Sequence, residues 1–109
     1  MNWDVQFLPE AEKDFSEFSK HHQLIITKAI TKVSQNPLPQ NEGGYGKPLG
    51  NKRQTNLAGF LKIKLRNDGI RIVYKLIRTE TQMLVVIIGM REDEKVYTLA
   101  QKRIVKHKL

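Results

Sequence analysis

Among its 109 residues the chain has no cysteine. Disulfide staples and thiolate metal ligands are therefore excluded, and a reducing compartment is the expected setting. Long apolar runs are missing too: the strongest, MLVVIIGM at residues 83–90, is far shorter than the roughly 20 residues that span a bilayer. No basic start followed by an apolar stretch opens the sequence, so no secretory leader is expected. These absences point to a soluble, cytoplasmic protein with no membrane partner, and the length suits one domain with a modest core.

Acids are scarce in one half only. Residues 1–46 hold four Lys/Arg against six Asp/Glu, a balance of −2, whereas residues 47–109 hold fifteen against five, a balance of +10. The whole positive excess thus lies in the second half. Such a half is an electrostatic footprint for a polyanion, most often nucleic acid, although an acidic protein partner fits equally well at this level.

The pattern of apolar residues gives the elements. WDVQFL alternates from Trp3 to Leu8, a short strand signal that Pro9 ends. Pro9 suits the first position of a helix that carries Glu10, Glu12 and Asp14 early and keeps Ala11, Phe15 and Phe18 in helical spacing. A second helix is expected from about His22 to Gln35, on the stripe Ile25, Ile26, Ala29, Ile30 and Val33, joined to the first at Lys20-His21-His22 as an antiparallel hairpin. Residues 36–56 hold three of the four prolines and four of the seven glycines and read as one long loop, a feature often mobile or functional. Strands follow at 59–66, 70–77 and 83–89, the last apolar on both faces and hence central. From Asp93 the run EKVYTLAQKRIVKH reads as a final helix, with Val96, Leu99 and Ile104 as packing residues. The order β-α-α-β-β-β-α implies an α+β fold: an antiparallel sheet with the N-terminal helical hairpin on one face and a C-terminal helix.

Register then gives the hairpin FLKIKLRNDGIRIVYKL, residues 60–76, a consequence. Leu61, Ile63 and Leu65 point one way and Lys62, Lys64 and Arg66 the other, and the next strand separates Ile70, Ile72, Tyr74 and Leu76 from Arg71, Val73 and Lys75. Only an even-length turn puts the apolar sets together. That register crowds Lys62, Lys64, Arg66, Arg71 and Lys75 around Val73, and like charges directly opposed cost up to about 1 kcal/mol per pair. Tyr74 is assigned to the core beside Ile63. Whether the crowded side is a solvated face or a working one stays open at this point.

The runs LAGFLKIKLRNDGIRIVYKL and MLVVIIGMREDEKVYTLAQKRI closely resemble the RelE branch of the RelE/ParE superfamily, the toxins of bacterial toxin–antitoxin pairs. The detailed match lies in the second half; the first half agrees in layout. Members of this branch are ribosome-dependent endoribonucleases that cut mRNA in the decoding site. The pattern of K-x-K, an arginine in the next strand, an arginine after the glycine ending the last strand and a tyrosine in the final helix falls on Lys62, Lys64, Arg71, Arg91 and Tyr97. The resemblance implies that these are the catalytic set, with mRNA, the ribosome and a cognate antitoxin as partners. Lys47, Lys52, Arg53, Arg66 and Lys75 become expected RNA or ribosome contacts. One departure is GNKRQTN, residues 50–56, longer than a compact RelE loop; its Lys52 and Arg53 either hold ribosomal RNA or solvate the loop.

RNA carries its own nucleophile, the 2′-hydroxyl, so cleavage asks for a base, an acid for the leaving 5′-oxygen and positive charge for the phosphorane. No metal or other cofactor is expected: the acids of the basic half fall in turns, at Asp68 and Glu80, or at a helix start, at Glu92, Asp93 and Glu94. His21 and His22 in the helix connector and His107 in the C-terminal tail are expected away from the basic face, in solvated roles. Lys62 or Lys64 is then the base, eased toward neutrality by its crowded neighbours. Arg71 and Arg91 stabilise the phosphorane and the leaving oxygen, and Tyr97 stacks on a substrate base. Alone, Tyr97 reads as a core or rim residue of an amphipathic helix. The competing readings are a ParE-like toxin that binds gyrase without cutting RNA and a plain basic RNA-binding domain.

Overall fold

The computed structural model describes residues 2–49, 51–52, 55–56, 59–90 and 94–109, without the side chains of residues 51, 52, 55, 56 and 94. Strand β1 (Asp4–Phe7) leads into α1 (Pro9–Ser16) and α2 (Lys20–Ser34). The short strands β2 (Lys47–Pro48), β3 (Asn51–Lys52) and β4 (Thr55–Asn56) precede β5 (Phe60–Leu65), β6 (Ile70–Ile77), β7 (Gln82–Met90) and α3 (Glu94–Lys106). The main sheet has the order β1-β7-β6-β5-β2. It is antiparallel except where β1 docks parallel on β7, Val5 opposite Met83 and Phe7 opposite Val85.

The helical hairpin forms where the spacing places it, with one shift. Ser19 caps α2 by accepting a hydrogen bond from the His22 amide at 3.2 Å, which starts the helix at Lys20. His21 and His22 therefore sit in the first turn of α2, not in the connector, which is Glu17 to Ser19. Gln23 fastens the two helices, its Nε2 donating to the carbonyls of Phe15 at 3.1 Å and Phe18 at 3.0 Å. Those carbonyls belong to the last turn of α1 and the connector after it, where helical partners run out.

β7 explains its own lack of alternation. Tyr74 pairs with Val85 while Val73 pairs with Ile87, so Val86 is an extra residue in a bulge. The bulge flips parity: Met83, Val85 and Ile88 face one side, Leu84 and Ile87 the other. Both sides are covered, because α1 and α2 pack on the face of Val5, Phe7, Val85 and Tyr74, and α3 lies on the other. Helix α3 buries Val96, Ala100 and Ile104 at four-residue spacing. Leu99, expected to pack, is 44% exposed, since it lies beyond the edge of that stripe. Helix and sheet approach closely at Gly89, where a Cβ would stand 2.8 Å from Val96 Cγ2.

Residues 36–56 are more structured than the expected loop. A 3-10 turn at Gln40–Glu42, a bridge between Pro39 and Gly46, the edge strand β2 and the β3–β4 ribbon fall within it. Tyr74, fully buried, donates from its hydroxyl to the Pro37 carbonyl at 2.8 Å. Burial pushes that phenol well above the usual tyrosine range. Gly46 is needed at this point, because a Cβ there would lie 2.4 Å from the Tyr74 oxygen. Arg78 makes a bidentate pair with Glu42 at 2.9 and 3.1 Å on the outside of the same segment. Sequence reasoning missed these strands because a two-residue strand carries no periodicity.

Candidate active site on the basic sheet face

The even register is the one formed. Leu65 pairs with Ile70, Ile63 with Ile72 and Leu61 with Tyr74, across a four-residue turn closed by Gly69 at φ +66°. Lys64 then opposes Arg71, Lys62 opposes Val73 and Lys75 opposes Phe60. On its other side Lys62 faces Lys47 of β2, so two lysines are direct cross-strand partners. No acid occupies any position of β2, β5, β6 or β7.

One expected member leaves this face. The strand ends at Leu65, and Arg66 begins a 3-10 turn in which its carbonyl accepts from the Gly69 amide, leaving the side chain exposed. Arg66 is thus a turn residue at the rim. Lys75 stays on the face but at its far end, with Nζ 5.7 Å from the centre of the Phe60 ring. Arg53 and Arg91 lie outside the described residues, and for Lys52 only the backbone, in β3, is described.

Tyr97 is brought to the cluster by α3. Its half-buried ring sits over β5, its centre 5.7 Å from Lys62 Nζ. Lys62 is only 5% exposed, the one buried charged side chain among the described residues. Its ammonium group thus lies under the face of an aromatic ring, with Lys47 across the strand pair. Lys64 and Arg71 are half-buried, and Arg71 donates to the Ile70 carbonyl at 3.2 Å. Lys62, Lys64, Arg71 and Tyr97 therefore form one constellation with Lys47 on its flank. Lys47 was named from the sequence, but its direct opposition to Lys62 depends on β2, whose signal is only a lysine beside a proline on an edge.

The histidines lie elsewhere. His22 Nε2 stands 3.7 Å from Asp68 Oδ1, and His107 is held rather than solvated, its Nε2 3.0 Å from the Glu10 carboxylate. The hydrogen bond with His107, then Glu10's own backbone amide and Lys106, hold the Glu10 carboxyl down at about 2, well below its ordinary value. The described side chains gathered around Lys62 are lysine, arginine and tyrosine, groups that supply proton transfer and positive charge.

No family model matches the chain. Curated and solved proteins do. The chain is 46% identical over 104 residues to the mRNA interferase toxin RelE of Escherichia coli K12, covering 95% of this chain and 99% of the relative. It superposes on an arginine-to-alanine double mutant of E. coli toxin RelE in the free state with a TM-score of 0.71 and 26% identity, covering 95% of this chain and 99% of the other. The toxin in the intact E. coli RelBE toxin–antitoxin complex shares the fold at a TM-score of 0.63 and 23% identity, covering 83% and 98%. The basic-faced α+β fold is that of a small bacterial toxin. The chain belongs to the RelE toxin family.

Proposed function

We propose that the protein is the toxin of a type II toxin–antitoxin pair and acts as a ribosome-dependent, metal-independent mRNA endoribonuclease. The observation that carries this is the constellation itself: a buried lysine under an aromatic ring, beside a lysine–arginine pair, on strands β2, β5 and β6 that carry no acid. The curated relative named an mRNA interferase adds weight to it.

In this reading Lys62 or Lys64, in its neutral form, takes the proton of the 2′-hydroxyl. The oxygen attacks the adjacent phosphorus, the P–O5′ bond breaks, and the leaving 5′-oxygen takes a proton from the protonated lysine or from water, giving a 2′,3′-cyclic phosphate and a 5′-hydroxyl. Arg71, together with Arg91 on the strength of the sequence pattern, holds the phosphorane charge. The half-buried ring of Tyr97 stacks on a base. Because free mRNA adopts no fixed geometry at the scissile bond, the ribosome supplies alignment that these few groups do not. Lys47, Arg66 and Lys75 ring the site as phosphate contacts. The partner that silences it is an antitoxin whose acidic, initially disordered segment folds onto the sheet and α3.

The test is primer extension on an mRNA translated in a purified ribosomal system with added toxin. Cuts in codon register that require ribosomes and survive a chelator are expected. Intact mRNA alongside inhibited DNA supercoiling would overturn the reading in favour of a gyrase poison.

A further inference from the structure

Helix α3 carries Tyr97 to the site, so whatever sets the roll of α3 about its axis sets where that ring stands. The buried seam Val96, Ala100 and Ile104 is apolar, and apolar packing is not directional, so it sets the roll of the helix less sharply than hydrogen bonds do. At about 100° per residue, Tyr97 falls on one flank of that seam and Arg103 on the other. Arg103 meets α1. Its Nη1 is 2.6 Å from Asp14 Oδ2 and its Nη2 3.1 Å from Asp14 Oδ1, with both side chains largely buried. One turn on, just past the end of α3, His107 meets Glu10 at 3.0 Å, so Arg103 and His107 match Asp14 and Glu10 of α1 at the same four-residue spacing in antiparallel order.

The pair is tied to the sheet as well. β1 stops pairing at Val85, and beyond it the edge of β7 is met by side chains: Arg103 Nη1 donates to the Val86 carbonyl at 3.1 Å, and the Ile88 amide donates to Asp14 Oδ2 at 3.1 Å. Three elements, α1, α3 and the bulged part of β7, are thereby locked at one point, on the side of α3 opposite Lys62.

We propose that Asp14 and Arg103 are positioning residues that fix the roll of α3 and so hold the Tyr97 ring over Lys62. The inference rests on the ribonuclease reading for its consequence in cutting, but its geometry does not. On a helix about 10–12 Å across, a roll of roughly 10° moves a surface atom by about 1 Å. A displacement of that size at a site is enough for about a hundredfold loss of rate.

The experiment compares wild-type, Arg103→Gln, Asp14→Asn and the milder Arg103→Lys, with Arg78→Gln as a control that breaks the exposed Arg78–Glu42 pair instead. Cutting is measured on programmed ribosomes well below each melting temperature, and the Tyr97 environment by fluorine NMR of toxin carrying 3-fluorotyrosine, which has only three tyrosine signals to assign. Arg103→Gln and Asp14→Asn should shift the Tyr97 signal and lower kcat ten- to a hundredfold with KM changed less than about threefold. Arg103→Lys should recover part of both, and Arg78→Gln should change neither. If Arg103→Gln is unfolded at the assay temperature, Arg103→Lys decides by the same two readouts. Folded variants with an unmoved Tyr97 signal and full cutting would overturn the inference. Lys62→Ala and Tyr97→Ala run alongside: full cutting by both would defeat the site reading instead, while the fluorine signal would still decide the positioning role.

Discussion

Lys62 Nζ stands 5.7 Å from the centre of the Tyr97 ring, and nothing adjacent in sequence connects them. The contact exists because β5 turns its cationic side toward α3. In the proposed ribonuclease reading the ring face is then the part of Tyr97 expected to act. Tyr97→Phe should then cut within about threefold of wild-type, whereas Tyr97→Ala should lose about ten- to a hundredfold, the worth of one base–aromatic stack at roughly 1–3 kcal/mol. Single-turnover cutting on a programmed ribosome checks this. A Phe variant as poor as the Ala variant would point to the hydroxyl.

Lys62 is buried and faces Lys47 across the strand pair. Methionine matches the aliphatic stem, fills the same space under Tyr97 and carries no charge to desolvate. Lys62→Met should therefore leave the fold intact and cost it little or no stability, since apolar replacements of similar volume at buried charged positions are often neutral or stabilising. It should also abolish cutting. Thermal melting and the ribosome assay on the same preparation test both halves; a destabilised variant would show that the lysine is structural.

Gly89 sits opposite Arg71 and directly beneath α3. A Cβ placed there would meet Val96 Cγ2 at 2.8 Å, closer than real contacts allow, so Gly89→Ala must displace the Val96 side chain or the helix that carries it. The expected cost is about 1–3 kcal/mol, as for other overpacked positions. Val96→Ala in the same chain makes room and should return part of that loss, so the two changes should not add. Urea denaturation of the four forms measures the coupling; strict additivity would mean that the helix does not press on Gly89.

Much of the architecture was legible because it depends on periodicity. The alternation in residues 60–76 fixed the faces, and the apolar-in register followed from it. Arg66 was misplaced because parity says nothing about where a strand stops; the 3-10 turn that takes Arg66 off the face depends on Gly69 reaching a left-handed conformation. Leu99 was assigned to the core because a helical stripe three residues wide includes it, while the observed seam of Val96, Ala100 and Ile104 is narrower. The loop at residues 36–56 hid β2, and with it the opposition of Lys47 to Lys62, because its order comes from the distant Tyr74 hydroxyl. The Asp14–Arg103 pair was written in the sequence only as matching i, i+4 spacings 89 positions apart, a pattern with no meaning until the two helices are side by side.

Stability at low pH should report the Glu10 contacts. In the folded chain the Glu10 carboxyl is held at about 2 by His107, its own backbone amide and Lys106, against an ordinary 4.5. A depressed carboxyl stabilises the fold in its charged form, so its contribution is complete above about 4.5 and disappears as pH falls toward about 2. The unfolded chain takes up the proton first, which is why stability drops through that window. Glu10→Gln removes the titration: the variant should be less stable than wild-type near neutrality and lose less stability between those two pH values, so that the two curves converge in acid. Asp14, one turn along α1 and paired with Arg103, remains in both proteins and leaves the comparison to Glu10. Urea midpoints across pH 2 to 7 measure the difference. Parallel curves would show that Glu10 does not hold the end of α3.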